Sequence, residues 1–280
     1  MRLRCRSRLL PLDGPVVMGV LNVTPDSFSD GGRFLESAAA LAQARQMVAD
    51  GARIIDVGGE STRPGSVPPS VEEELRRVVP VVRAIAAELD VLISVDTSRA
   101  PVIEAAVAAG AGLINDIRAL GDPAALEAAV RLGVGVCLMH MQGEPATMQQ
   151  APFYGDVVGE VREWLRGRAA AVRAAGIAAD AIAVDPGFGF GKSAAQNLAL
   201  LRSLGSFATL GHPLLVGLSR KTLIGQLTGR ALDQRQAGSV AAAAIAAERG
   251  ALILRAHDVA ETVDAVRVGA ALRLPLGEQL

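Results

Sequence analysis

The sequence is poor in aromatic residues, cysteine and histidine. Aromatic side chains make up 3% of the 280 residues and hydrophobic residues 50%, so the core must be packed mainly with Ala, Val, Leu and Ile. Cys5 and Cys137 are far apart and match neither a disulfide framework nor a zinc-binding spacing, which fits a reducing compartment. The three histidines form no His-x-His or His-Glu-x-x-His pattern, which disfavours a zinc hydrolase.

A strong charge bias and a long apolar segment are also missing. The formal net charge is −1, which argues against a nucleic-acid partner. No apolar run approaches the length that spans a membrane, and the basic N-terminal segment is too polar for a signal peptide. No linker rich in Pro, Gly and Ser divides the chain. We therefore expect a single domain over residues 1–280 in a cytoplasmic enzyme without membrane contacts.

Eight short runs of Val, Ile, Leu and Gly are the main feature that is present. Each run ends in polar residues and precedes a helix-like stretch, and the runs end near Asn22, Asp56, Asp96, Asn115, His140, Asp185, Ser219 and Arg255. Eight strands alternating with helices predict the α/β class, as a single (β/α)₈ TIM barrel. In that fold the active site lies at the C-terminal ends of the strands, so these polar residues are expected to share one site.

Long polar connections follow three of the predicted strands. Loop 1, TPDSFSDGGRFLES (24–37), follows the first strand, and loop 2, STRPGSVPPS (61–70), follows the second. Loop 5, MQGEPATMQQAPFYGD (141–156), follows the fifth. We interpret loops 1 and 2 as lids that exclude water from the site, with tolerated surface insertions as the alternative.

Hydrogen-bond acceptors end three of the strands. Asp96, Asn115 and Asp185 are expected to converge in the barrel mouth, where they suit a ligand edge rich in N–H donors, such as a 2-aminopyrimidinone. Asp56 and Asp116 fit the simpler interpretation, in which a carboxylate caps the following helix.

A glycine-rich segment, GFGFGK (187–192), follows Asp185. Its spacing does not match the phosphate-binding P-loop. We interpret it as backbone that lets a flat ligand approach closely, with Phe188 or Phe190 as an apolar wall, and a plain turn is the alternative.

Basic residues form a second group on the loops after strands 2, 7 and 8, namely Arg63, Arg220, Lys221, Arg255 and His257. Loops after strands 7 and 8 of a TIM barrel often bind phosphate. Asn22, on the adjacent first strand, offers an oxygen ligand for Mg²⁺ beside such a phosphate. Lys221 is interpreted as a cationic donor to the ligand, with a Schiff-base nucleophile whose pKa Arg220 lowers as the alternative. His140 and His212 are interpreted as structural.

Eight motifs together carry a family resemblance: MGVLNVTPDSFSDGG, IIDVGGESTRPG, SVDTSR, INDI, LMHMQG, DPGFGFGK, GLSRK and RAHD. Each motif is weak alone, but eight in this order are highly specific, and over nearly its whole length the chain resembles the dihydropteroate synthases of the pterin-binding family. The resemblance implies a transferase of folate biosynthesis that joins 4-aminobenzoate to (7,8-dihydropterin-6-yl)methyl diphosphate and releases diphosphate. It also implies a Mg²⁺ cofactor, a homodimer, and C–O cleavage to a pterin-methyl cation that the amine attacks.

The resemblance further implies roles for single residues. The pterin-binding positions are Asp96, Asn115, Asp185 and Lys221. The diphosphate and Mg²⁺ positions are Asn22, the metal ligand, with Arg255 and His257. The surroundings of 4-aminobenzoate are Thr62, Arg63, Pro64, Ser219, Phe28 and Phe190. The residues implied in catalysis are Asp30, which closes over the reacting centre, with Asp96, Lys221, Arg255 and His257.

Three other functions remain open from the sequence. A pterin-binding methyltransferase would share the barrel and the acidic pocket, but the STRPG, SRK and RAHD segments argue against it. A non-catalytic paralogue would bind pterin without turnover. An aldolase would use Lys221 as a Schiff base.

Overall fold

The computed structural model describes residues 1–23, 33–60, 68–145 and 147–273. Its strands are β1 (Arg2–Cys5), β2 (Arg8–Pro11), β3 (Val16–Asn22), β4 (Ile54–Gly58), β5 (Leu92–Asp96), β6 (Leu113–Asp116), β7 (Gly135–Met139), β8 (Ile182–Asp185), β9 (Leu215–Val216) and β10 (Ile253–Ala256). Strands β3 to β10 form one parallel sheet in the order β8-β7-β6-β5-β4-β3-β10-β9. A parallel bridge between Val184 and Leu214 joins the two ends of this order. The predicted eight-stranded TIM barrel is confirmed.

Helices follow the barrel strands, one after each strand except β9, which is followed by two. They are α1 (Arg33–Ala49), α2 (Val71–Glu88), α3 (Ala100–Ala109), α4 (Pro123–Leu132), α5 (Val157–Ala174), α6 (Ala194–Arg202), α7 (Thr222–Thr228), α8 (Gln236–Glu248) and α9 (Val259–Ala271). In the part of the chain that the structure describes, none of these helices is long and apolar enough to cross a membrane.

Side chains at the helix starts explain where several helices begin. The Ser70 hydroxyl accepts a hydrogen bond from Glu73 N at 3.2 Å, as the sequence pattern of α2 predicts. Asp258 and Glu261 have the same spacing as Ser70 and Glu73, a polar residue followed three positions later by Glu, which predicts a cap by Asp258 for α9. That prediction is wrong, because the Asp258 side chain caps no backbone N–H of α9. The Asp258 carboxylate instead accepts hydrogen bonds from the Arg220 guanidinium at 2.5 and 3.1 Å.

The hairpin formed by β1 and β2 closes the N-terminal end of the barrel, a feature that the sequence analysis did not predict. Its side chains are buried in one cluster with inward-facing residues of the barrel strands: Leu3, Cys5, Leu10, Leu12, Met18, Ile54, Leu92, Leu113, Cys137, Ala183, Leu215 and Ile253. The hairpin backbone comes so close that a Cβ on Gly135 would lie 2.9 Å from Arg4 O. Burial raises the pKa of Cys5 to about 12, in keeping with an inert core thiol. The hairpin therefore fills the N-terminal end of the barrel with apolar side chains.

Candidate active site

Strand register brings the predicted polar residues to one level of the C-terminal mouth. In the pairing of β3 to β6, Asn22 lies opposite Gly58, Gly58 opposite Asp96, and Asp96 opposite Asn115. A Cβ on Gly58 would lie 3.5 Å from the Asp96 Cβ and 3.8 Å from Asn22 Oδ1. The side chains of Asn22 and Asp96 therefore both lie within van der Waals contact of a Cβ at position 58.

Arg255 links the acidic residues at the floor of this mouth. From β10 its Nε donates to Asp56 Oδ2 at 2.6 Å, and its Nη2 donates to Asp96 Oδ2 at 2.8 Å. Asn115 Nδ2 also donates to Asp56 Oδ2, at 3.1 Å. The sequence pattern groups Arg255 with the basic residues after strands 2, 7 and 8 and not with the acidic residues. In the structure the guanidinium lies on that floor and compensates two carboxylates that would otherwise be buried unpaired.

Asp56 was misinterpreted from the sequence as a helix cap. It is fully buried within β4, and its Oδ1 has no hydrogen-bond partner among the described residues. Asp116 is the residue that does hold local backbone, because it accepts hydrogen bonds from Arg118 N at 2.8 Å and Leu120 N at 2.7 Å. The two residues differ in their position within the strand, since Val57 and Gly58 of β4 follow Asp56 whereas Asp116 is the last residue of β6.

Charges at the floor shift one another's proton affinities. Burial raises the pKa of Asp96, and the nearby Arg255 opposes that rise. Burial would lower the pKa of Arg255, but Asp56 and Asp96 outweigh it and raise that pKa well above its usual range. Burial likewise raises the pKa of Asp185, against the effect of Lys221. Arg255 opposes the rise in the pKa of Asp185 more weakly than Lys221 does.

The glycine-rich segment turns directly after Asp185. Asp185 Oδ1 accepts a hydrogen bond from Gly187 N at 2.7 Å. A Cβ on Gly187 would lie 1.9 Å from His140 O, and one on Gly191 would lie 2.3 Å from Gln142 O. These two glycines permit a close approach to backbone of the chain itself, just after the end of β7.

Two aromatic residues of this segment differ in position. Phe188 is buried in the core at 1% exposure, while the Phe190 ring faces Lys221, whose Nζ lies 4.5 Å from the ring centroid. Phe190 is therefore the one that can serve as the predicted apolar wall.

Lys221, at the N-terminus of α7, points toward the mouth and donates to Phe188 O. Burial lowers the pKa of Lys221 to about 8, Asp185 opposes this shift, and Arg255 adds to it. The expectation that Arg220 lowers this pKa is wrong, because the Arg220 guanidinium pairs with Asp258. Ser219 and His257 contact each other. Ser219 Oγ lies 3.0 Å from His257 Nδ1 and accepts a hydrogen bond from His257 N at 3.1 Å.

An open cavity of about 620 Å³ leads from the rim of β5 to β7 down to Asp96. Ile117, Met139 and Trp164 contribute apolar surface to its lining, and Arg99 and Arg118 contribute charged groups. Ile117 and Met139 are apolar residues next to strand ends, so a pattern of polar residues at the strand ends does not predict them. The lining of the cavity mixes apolar side chains with several charged ones, among them Glu60, Arg99, Arg118 and Glu144.

The glycine segment supplies a stability prediction. Gly187→Ala should lower the free energy of unfolding by more than about 3 kcal/mol, because its Cβ would meet His140 O at a φ of +70°. Gly133→Ala is the matched control at a φ of +61°, where nothing lies within 4 Å of the added Cβ. We expect a loss of about 1 kcal/mol there. Urea unfolding of both variants measures the difference, and equal losses would contradict the packing of this segment.

The chain is similar in sequence to proteins of a known family. The family model of pterin binding enzymes matches residues 18–257. The dihydropteroate synthase of Escherichia coli (strain K12) is 54% identical over 268 residues, which cover 96% of this chain and 95% of the relative. The chain belongs to the dihydropteroate synthase family of pterin-binding enzymes.

Solved structures of the family have the same fold. The dihydropteroate synthase of Xanthomonas albilineans with 4-aminobenzoic acid is 53% identical, with a TM-score of 0.91 over 98% of this chain and 99% of that one. A structure of the enzyme from the same organism in complex with 7,8-dihydropteroate is 51% identical, with a TM-score of 0.89 over 98% of this chain and 100% of that one.

Part of the site that the resemblance implies lies outside the described residues. These positions are Phe28 and Asp30 of loop 1 and Thr62, Arg63 and Pro64 of loop 2. The described residues of the implied dihydropteroate synthase site are Asn22, Asp96, Asn115, Asp185, Phe190, Ser219, Lys221, Arg255 and His257.

The donor set near Asn22 fits the magnesium ion that the family resemblance implies. Within the described ranges, no group of three or more His, Cys, Asp or Glu side chains could hold a metal by itself. Asn22 Oδ1 and Asp96 Oδ2 each lie 3.8 Å from the position of a Cβ on Gly58, and oxygen atoms are the ligands that Mg²⁺ prefers. With few protein ligands, a magnesium ion here would need further oxygens from substrate phosphate and water.

Proposed function

We propose that this chain condenses (7,8-dihydropterin-6-yl)methyl diphosphate with 4-aminobenzoate to 7,8-dihydropteroate and diphosphate. The observation that carries the proposal is the meeting of acceptors and cations at one barrel mouth. Asp96, Asp185 and Asn115 supply oxygen acceptors there, while Lys221 and Arg255 supply cationic donors. A pterin offers N–H donors at one edge and acceptors at another, and the diphosphate offers a compact anion, so the two charge types have separate partners.

Pterin binding falls to Asp185 and Asn115, with Lys221 as donor to a carbonyl or ring nitrogen. Asp185 is oriented by Gly187 N and Asn115 by Asp56, so both side chains are held before the ligand arrives. Phe190 gives the ring an apolar surface, and Lys221 packs over that aromatic ring. Held side chains lower the entropy cost of binding a flat, polar ligand.

Departure of the diphosphate is assisted by Arg255, His257 and the N-terminus of α9. This helix begins at residue 259, directly after His257 and Asp258, so its unpaired N–H groups lie near the same rim. A magnesium ion held at Asn22 would neutralise charge on the leaving diphosphate. Arg255 must share its hydrogen bonds between the two floor carboxylates and the anion.

Chemistry proceeds by cleavage of the methylene C–O bond, whose electron pair leaves with the diphosphate. Asp56 and Asp96 provide negative charge for the pterin-methyl cation that remains. The amine nitrogen of 4-aminobenzoate then forms the new C–N bond and releases one proton to solvent. This arylamine is weakly basic, so it needs orientation more than deprotonation.

The ionisation of Lys221 predicts how pterin binding depends on pH. Since burial lowers the pKa of Lys221 to about 8, the ammonium loses its proton as the pH rises through that value. Affinity for the pterin substrate should therefore fall by roughly tenfold between pH 7 and pH 9.5, as a charge-assisted hydrogen bond is lost. Calorimetric titration across this range measures it, and the Lys221→Met variant should bind weakly without this pH step.

The test of the function is an assay of diphosphate release with and without 4-aminobenzoate. The proposal predicts diphosphate and dihydropteroate in equal amounts, formed only when both substrates are present. A pterin-binding methyltransferase or a non-catalytic paralogue would form neither product. An aldolase would instead be trapped covalently at Lys221 by borohydride in the presence of its substrate.

We further propose that the enzyme acts in the cytoplasm as a homodimer that uses helices α8 and α9. These helices pack on each other and expose the apolar side chains of Ile245, Val268 and Leu272, the last two at 64% and 72%. An exposed apolar surface on two adjacent helices favours burial against a second copy. Sedimentation equilibrium of the wild-type chain and of Val268→Glu tests this, with a dimer expected only for the wild type.

A further inference from the structure

The glycine-rich segment after β8 is held by side chains at every carbonyl from residue 187 to residue 191. The five bonds are Lys192 Nζ to Gly187 O at 3.0 Å, Lys221 Nζ to Phe188 O, Gln149 Nε2 to Gly189 O at 2.5 Å, Lys192 Nζ to Phe190 O at 2.9 Å and Tyr154 Oη to Gly191 O at 3.0 Å. Turn backbone is more often satisfied by water or by other backbone. Lys192 is the only side chain in this set that makes two of the five bonds.

Lys192 is buried, with 2% of its surface exposed. Besides the two carbonyls of the segment, its Nζ lies 3.3 Å from His140 O and 3.0 Å from His140 Nδ1. A lysine ammonium has three donors and no acceptor. The three nearest acceptors are Phe190 O at 2.9 Å and Gly187 O and His140 Nδ1 at 3.0 Å, and each can take one N–H, while His140 O at 3.3 Å is a weaker fourth contact. Burial lowers the pKa of Lys192 to about 7, and Asp185 opposes that shift.

His140 completes the arrangement as an acceptor. Burial, and then the charge of Lys192, lower the pKa of His140 to about 3, so the imidazole is neutral at pH 7. In the tautomer that carries its proton on Nε2, the neutral ring can accept an N–H of Lys192 at Nδ1. Trp164 packs against the same ring edge to face, with centroids 5.0 Å apart, and fixes its orientation.

We propose that Lys192, held by the neutral imidazole of His140, is a positioning residue that fixes residues 187–191 as one wall of the pterin pocket. The identity of the ligand in this inference rests on the proposed function. Lys192 acts through its neighbours. Its bond to Gly187 O steadies the residue whose N–H orients the Asp185 carboxylate, and its bond to Phe190 O steadies the aromatic wall.

The simplest test is Lys192→Met, which keeps the length of the side chain and removes its donors. We expect the dissociation constant for dihydropterin diphosphate to rise by about thirtyfold, since two backbone carbonyls lose their donor. The KM for 4-aminobenzoate should change by less than about threefold. Tyr154→Phe is the graded control, because it removes one donor from the same segment at Gly191 O, and we expect a rise of about threefold.

A pair of substitutions at His140 tests the acceptor directly. The oxygen of His140→Asn can take the place of Nδ1, so this variant should bind dihydropterin diphosphate within about threefold of wild type. His140→Leu has no acceptor and should resemble Lys192→Met. Equal losses in both His140 variants, or equal losses for both substrates in Lys192→Met, would mean a purely structural role and would overturn the proposal. If Lys192→Met does not fold, the His140 pair decides.

Amide hydrogen exchange in the ligand-free proteins separates this inference from the proposed function. In Lys192→Met, or in His140→Leu, the amides of Gly187, Gly189 and Phe190 should exchange at least about tenfold faster than in wild type. The amides of β6 should be unchanged. This readout needs no substrate, so it stands even if the wild-type chain forms no dihydropteroate. Unchanged exchange at these three amides would refute the positioning role.

Discussion

Asp185→Asn should lower the affinity for dihydropterin diphosphate by about 100-fold, because two hydrogen bonds from ligand N–H groups lose a charged acceptor in a buried site. The substitution keeps the shape of the side chain, and its oxygen can still accept from Gly187 N, so the glycine-rich segment should stay in place. Isothermal titration calorimetry of wild type and variant measures the effect.

The matched control for this prediction is Asp156→Asn. Asp156 is an exposed carboxylate that caps α5 through Val158 N, so the same chemical change is made away from the mouth. We expect its affinity for the pterin substrate to stay within about twofold of wild type. Normal binding by Asp185→Asn, or equal losses in both variants, would remove Asp185 from the pterin pocket.

Arg255→Met should have two large effects, one on turnover and one on stability. The kcat should fall by about 1000-fold, since a preorganised cation at the leaving group is lost. The free energy of unfolding should also fall by about 3–5 kcal/mol, because Asp56 and Asp96 remain buried without their partner. Steady-state kinetics and urea unfolding measure the two effects.

A double variant separates these effects. Adding Asp56→Asn to Arg255→Met removes one unpaired charge, so it should restore part of the lost stability while turnover stays low. Arg220→Met serves as the control, since Arg220 pairs at the rim with a single carboxylate and should cost about 1 kcal/mol. A double variant no more stable than Arg255→Met would contradict the account of charge compensation at the floor.

The barrel and the level of its polar residues follow from local sequence signals. A short apolar run that ends in Asn22, Asp96 or Asp185 marks both a buried parallel strand and its carboxyl end. Because carboxyl ends of barrel strands meet at one mouth, the convergence of these residues required no long-range information.

Features that depend on long-range contacts could not be predicted in this way. The hairpin of β1 and β2 is stabilised by the barrel end that it covers, and its eight strand residues have no distinctive pattern of their own. Arg255 reaches Asp56 across 199 positions of the chain, so its place on the floor depends on the barrel being closed. The inward direction of Lys192 depends on a turn in which Gly187, Gly189 and Gly191 all have positive φ.

A crystal structure of this chain with 7,8-dihydropteroate tests the central claim most directly. We predict that the pterin ring lies at the C-terminal mouth, with its polar atoms within about 3.2 Å of the Asp185 and Asn115 side chains. Phe190 should lie beside the ring. Dihydropteroate bound outside the mouth, with Asp185 and Asn115 beyond hydrogen-bond reach, would contradict the account.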